Sequence, residues 1–124
     1  MIAAYVEKYD FIPGKRLSVA TFEAKLAEAI DISSVYEATA HRRSAHYSCL
    51  LILGSFGEEG DALSTVLDAC AEQGAGFLQA ETPSNFETWE ELIQPDRNEP
   101  ELKELNETLQ KFFTAKDWLK RAVE

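Results

Sequence analysis

His41 and His46 are the only histidines in the chain. They bracket the stretch Arg42-Arg43-Ser44-Ala45. If Val35–Ala40 and Tyr47–Leu53 are strands joined by a four-residue loop, the two imidazoles face each other across a hairpin. Their Cβ atoms then stand about 5 Å apart. Such a pair suits proton transfer near neutral pH or loose ligation of a transition metal. A zinc site, however, needs three or four ligands with a supporting shell. No cysteine lies in the loop, and Cys49 faces away from His46 on a regular strand. A polar, solvated hairpin tip is the plainer reading, and neither a metal nor another cofactor is expected.

Other residues able to do chemistry are equally open to plain explanations. Arg42 and Arg43 could clamp an anion or carboxylate, or simply blunt a sheet edge with charge. Gly54-Ser55-Phe56-Gly57-Glu58-Glu59-Gly60-Asp61 precedes a helical pattern, as phosphate-binding loops do. It lacks the GxxxxGK[ST] order, and its three carboxylates oppose an anion. Nor does it carry the alternating carboxylates of a calcium loop. Tyr5, Tyr9 and Tyr47 could line one sheet face, where an RNA-binding module would stack bases. The charge of the chain argues against that use and for partial burial.

That charge is concentrated. Between Cys49 and Glu101 there are twelve acidic residues and one basic residue, Arg97, whereas residues 1–48 carry six of each sign. The densest part is Glu81, Glu87, Glu90, Glu91, Asp96, Glu99 and Glu101, with Trp89 among them. A field of this sign argues against phosphate-mediated nucleic-acid binding, which requires Lys and Arg. It suits a basic protein surface, with the carboxylates steering and Trp89 as an anchor.

The elements that would position these residues follow from periodicity. At 124 residues with 45% apolar content, the chain is long enough for one packed domain without staples. Cys49 and Cys70 both lie in apolar surroundings and read as buried, reduced thiols. No apolar run reaches the length of a membrane span, and the N-terminus lacks a leader pattern, so a cytoplasmic protein is expected.

Residues 2–11 alternate as a strand ended by Pro13-Gly14. Ser18, followed by Val19, Phe22, Leu26 and Ile30 at spacings of three and four, predicts an amphipathic helix. Residues 35–40 and 47–53 predict strands, the second apolar on both faces and so central in its sheet. Asp61 opens a helix on Leu63, Val66, Leu67 and Cys70, ended at Gly74. Residues 76–81 read as a weaker strand. Ser84-Asn85-Phe86-Glu87 resembles a capping box for a short helix with Glu87, Glu90 and Glu91 on its outer side. Pro100 starts a last helix on Leu102, Leu105, Leu109 and Phe112, with a break at residues 114–117 before Trp118 and Leu119.

The order βαββαβ predicts an α+β, ferredoxin-like antiparallel four-stranded sheet over residues 1–81, extended by helices over residues 84–124. The functional expectation is a small acidic, non-enzymatic binding protein. It would dock on a basic partner, as inhibitors, immunity proteins, antitoxins and nucleic-acid mimics do. The alternative is a homodimer paired sheet to sheet that binds a small ligand, with His41 or His46 as acid–base groups.

Overall fold

The computed structural model describes residues 2–55 and 60–112, leaving aside the side chains of residues 5, 7, 9, 60–62, 86 and 112. The fold is α+β: a five-stranded mixed sheet with three α-helices among the described residues. Strands β1 (Ile2–Tyr9), β2 (Ile12–Leu26), β3 (Tyr47–Leu53), β4 (Gly76–Ala80) and β5 (Trp89–Ile93) lie side by side in chain order. The two outer pairings are antiparallel, and β2, β3 and β4 run parallel. The expected ferredoxin-like sheet of four antiparallel strands is therefore replaced by a different topology.

Parallel neighbours require crossovers, and the two helices α1 (Ile32–Ala40) and α2 (Gly60–Gln73) supply them. Both crossovers advance in the same direction, and right-handed connections of that kind place both helices on one face. Leu50, Ile52 and Phe77 of the sheet form a buried core there with Val35 and Ala38 of α1 and Val66 and Cys70 of α2. Helix α3 (Leu102–Phe112) joins the same face beside them. Its Leu105 and Leu109 pack on Val19, Leu17, Ile2 and Ala4 of the hairpin strands. All three helices thus share one face, and no described helix covers the other.

Three elements differ in type from the sequence expectation. Residues 19–30 are mostly strand, because β2 crosses from buried Val19 into a charged surface where Glu23 and Lys25 meet α1. Lys25 reaches Glu37 at 2.7 Å. That change of environment erases the alternation and leaves a 3–4 spacing behind. Residues 35–40 belong to α1, opened by a reciprocal cap in which the Asp31 carboxylate accepts from Ser34 N and the Asp31 N–H donates to Ser34 Oγ at 3.4 Å. Residues 89–93 form β5 rather than a helix. The Asn85 side chain accepts from Glu87 N at 3.1 Å, so the capping signal is an Asx turn leading through a single 3₁₀ turn into a strand.

Smaller differences are local. The β1–β2 turn falls at Asp10-Phe11, and Pro13-Gly14 sits inside β2 where the register shifts by two residues. Pro100 lies just ahead of α3, whose first hydrogen bond runs from Leu105 N to Glu101 O. Gly74 does occupy the left-handed position after α2, with φ at 73°. Residues 56–59 and 113–124 lie outside the described residues. With them lie the expected glycine-rich loop, the break at 114–117, and Trp118 and Leu119. No described helix is long and apolar enough to cross a membrane.

Candidate functional site

The sheet face opposite the described helices carries a cleft of about 640 Å³. Alternation along each strand selects its lining: Ala20 and Phe22 from β2, Tyr47 and Cys49 from β3, Leu78 from β4, and Trp89 and Glu91 from β5. Segment 94–97 forms one wall with Gln94, Pro95, Asp96 and Arg97. The floor is close-packed where that wall descends. A Cβ at Gly76 would meet Cys49 Sγ at 2.8 Å and Pro95 Cδ at 2.9 Å, so only glycine admits this approach.

Arg97 fixes the wall. It is the one base in the acidic stretch, and its guanidinium is mostly shielded from solvent. Nη1 donates to Ser18 Oγ at 2.9 Å, Nη2 to Leu17 O at 3.3 Å, and Nε to Glu99 at 3.1 Å. The same group lies 5.6 Å from the centroid of the Tyr47 ring. Thus Arg97 ties the wall to β2 and is neutralised by Glu99. Glu91 and Asp96 remain as the acidic lining of the cleft.

Asn98, a residue the sequence reading does not single out, completes the latch. Its backbone N–H donates to His46 O at 2.8 Å. Its side-chain amide donates to Ala45 O at 3.2 Å and also to Arg42 O. Asparagine amid a run of Pro and Glu is the signal that could have marked it, since its amide can satisfy turn carbonyls.

The structure separates the two histidines. His41 caps α1 and reaches Glu23 in β2 at 3.4 Å. His46 is buried, accepts from Val19 N through Nδ1 at 2.9 Å, and donates its own N–H to Val19 O at 2.9 Å. It thereby extends the β2–β3 ladder by one side chain. Burial first, and then the nearby Arg97 charge, push its pKa below the usual imidazole value. The expected hairpin between residues 35–40 and 47–53 does not exist, and neither histidine lines the cleft.

Arg42 donates to Gln73 O at the C-terminal end of α2, where a cation satisfies an orphan carbonyl. Arg43 pairs with Glu101 at 3.6 Å on the exposed surface. Cys49 and Cys70 are free thiols on opposite sides of β3, and burial pushes each up to about 11.

The acidic candidates are dispersed. On a strand rather than a helix, Glu90 and Glu91 point to opposite faces, so the expected outer side shared by Glu87, Glu90 and Glu91 is not formed. Trp89, Glu91 and Asp96 line the cleft. Trp89 is oriented by a hydrogen bond from Nε1 to Pro83 O at 3.2 Å. Glu81 and Glu87 are exposed beside β5, and Glu99 and Glu101 serve ion pairs within the chain. Of the three tyrosines expected on one sheet face, Tyr47 lines the cleft, whereas the side chains of Tyr5 and Tyr9 lie outside the described residues. Among the described residues no group of three or more His, Cys, Asp or Glu side chains is arranged to hold a metal ion.

Comparison with protein-family models, curated proteins and solved structures returns no match.

Proposed function

We propose that the protein is a non-enzymatic binding module that receives a basic partner segment on the sheet face opposite its described helices. One observation carries this reading: the cleft combines an aromatic lining (Phe22, Tyr47, Trp89) with the carboxylates of Glu91 and Asp96. Parallel strands are ordinarily covered on both faces, so a face that no described helix covers, bearing aromatic side chains around a cleft, marks a surface suited to a partner. Aromatic rings attract ammonium and guanidinium groups, and a desolvated cation over such a ring gains about 2 kcal/mol. A neighbouring carboxylate adds charge selection. The partner class is therefore a protein surface offering Lys or Arg, which includes nucleic-acid-binding proteins. The β5 edge beside Trp89 and Glu91 supplies a place for an extended segment to lie.

The test uses a nine-residue peptide alternating arginine and valine, titrated by calorimetry at low and high salt. Binding should weaken with salt, and Glu91→Gln should lower affinity about tenfold, the loss of one good charge contact. Glu104→Gln on α3 removes the same net charge from the opposite face and should leave affinity within about twofold. Equal losses from the two substitutions would reduce the binding to net charge alone and reject the cleft.

A second reading is a small-molecule site. The cleft volume favours it, because ligand pockets span about 300–1,000 Å³. A compound that binds with unchanged affinity in Glu91→Gln and without salt dependence would select that reading.

A further inference from the structure

The β1–β2 hairpin outruns the sheet. Strand β2 has 15 residues, but pairing with β3 begins only at Ala20. Residues 12–16 are all exposed, so a two-stranded arm projects about 15 Å at ~3.3 Å per residue. An isolated ribbon of this kind is marginally stable, and its described side chains at residues 8 and 10–16 are exposed where it stands. Its tip nevertheless carries Phe11 at 99% exposure and Ile12 at 62%. Lys8, Lys15 and Arg16 flank that tip, against Asp10 and against Glu7, the register partner of Arg16, so residues 7–16 carry three bases and two acids. The arm is therefore apolar at its end, with a net excess of one basic residue along its sides.

We propose that a second copy of this chain is the occupant of the cleft, with the arm of each copy seated in the cleft of the other. The two surfaces are complementary in both respects that matter. Phe11 and Ile12 match the lining of Phe22, Tyr47 and Trp89, and Lys15 and Arg16 match Glu91 and Asp96. The continuous β1–β2 ladder carries the tip away from its own cleft, so the occupying arm belongs to another molecule. Root and cleft adjoin, since Ala3 and Ala20 pair at the root of the arm and both line the cleft. A two-fold axis beside the root brings both arms into place at once, and the exchange closes as a dimer. This inference rests on the reading of the cleft as a docking site for a basic segment and names the segment.

Sedimentation equilibrium on the full chain tests it. At low salt the mass should be twice the 13.9 kDa of one chain, moving toward the monomer as salt rises. Phe11→Ser and Glu91→Lys change exposed side chains, so both should keep the wild-type circular dichroism. Each should weaken dimerisation about tenfold or more. Mixed together, the two variants should form a heterodimer through the one intact arm and the one intact cleft, seen by labelling one of them. A wild-type monomer across the concentrations at which the chain stays dissolved overturns the proposal. So does a dimer that survives Phe11→Ser, or one that survives Glu91→Lys, which would mean that arms pair with arms. If the wild-type chain is monomeric yet binds the arginine–valine peptide, the exchange fails while the cleft stands as a docking site.

Discussion

The two faces of the sheet use the same strands for opposite purposes. On the helix-bearing face, Leu50, Ile52, Phe77, Val35, Val66 and Cys70 close into a core from which water is excluded. On the other face, the alternate residues of those strands carry half-buried rings and a carboxylate around an open cleft. The difference originates in topology. A sheet whose strand order never reverses keeps its crossovers on one side, so it has no switch point, and its described helices form a single layer. What the covered face supplies is stability. The opposite face is, in our reading, available for recognition, and among the described residues segment 94–97 shapes it.

That contrast can be broken by substitution, and the largest effect belongs to the covered face. Phe77→Ala should cost about 3–5 kcal/mol of unfolding free energy in urea titrations. Trp89→Ala on the other face should cost less than half of that, because the ring is only half-buried, yet it should abolish calorimetric binding of the arginine–valine peptide. If Trp89→Ala destabilises as much as Phe77→Ala, the two faces are both core and the contrast is lost.

His46 joins the faces by bridging β2 and β3, and its replacement should rank next. His46→Ala leaves the buried Val19 N–H without its acceptor, a loss of about 1–3 kcal/mol. The group also gives a pH signature. Its folded pKa is depressed, so its contribution is present above the ordinary imidazole value of about 6.5 and is lost as pH falls below that through the folded value. The urea midpoint should therefore drop between pH 7.5 and pH 5 more in the wild type than in His46→Ala. Equal drops would show that other groups govern the acid limb.

Arg97→Gln sharpens the comparison at the wall of the cleft. The substitution removes hydrogen bonds to Ser18 and Leu17 and should cost about 1–2 kcal/mol. Because the wall then detaches from β2, peptide affinity should fall although a positive charge has been removed from an acidic site. A rise in affinity would mean that charge alone matters there.

The smallest expected effect on stability is that of Glu90→Gln with Glu91→Gln. Both residues are exposed on the edge strand, so stability should stay within about 0.5 kcal/mol. Peptide binding should fall in this variant, with most of the loss reproduced by Glu91→Gln alone, since Glu90 points to the other face.

How much of this is legible in the sequence depends on whether local pattern and tertiary environment agree. Strand β3 is legible to its bounds because Leu50-Leu51-Ile52-Leu53 is buried on both sides in the centre of the sheet. Helix α2, the turn at Gly74, strand β4 and the two inert thiols are legible for the same reason. Strand β2 is not, since one strand passes a buried core, a charged helix edge and open solvent within fifteen residues, and no single period survives. Helix α1 has only nine residues, and its Asp31–Ser34 cap is a stronger signal than its apolar stripe. In β5, Trp-Glu-Glu-Leu-Ile fits either period, and the tertiary pairing with β4 decides. The cleft inherits these ambiguities. Trp89, Glu91 and Asp96 stand out as acidic or aromatic residues, but their joining with Phe22 and Tyr47 depends on strand order, which the sequence does not express.

The most direct test of the account is residue-resolved. The arginine–valine peptide is titrated into isotopically labelled protein, and the amide resonances that move are assigned. The account predicts shifts concentrated at Phe22, Tyr47, Cys49, Trp89, Glu91 and residues 94–97, with α1 and α2 unmoved. Shifts spread evenly over acidic residues, or confined to the helix-bearing face, would contradict it.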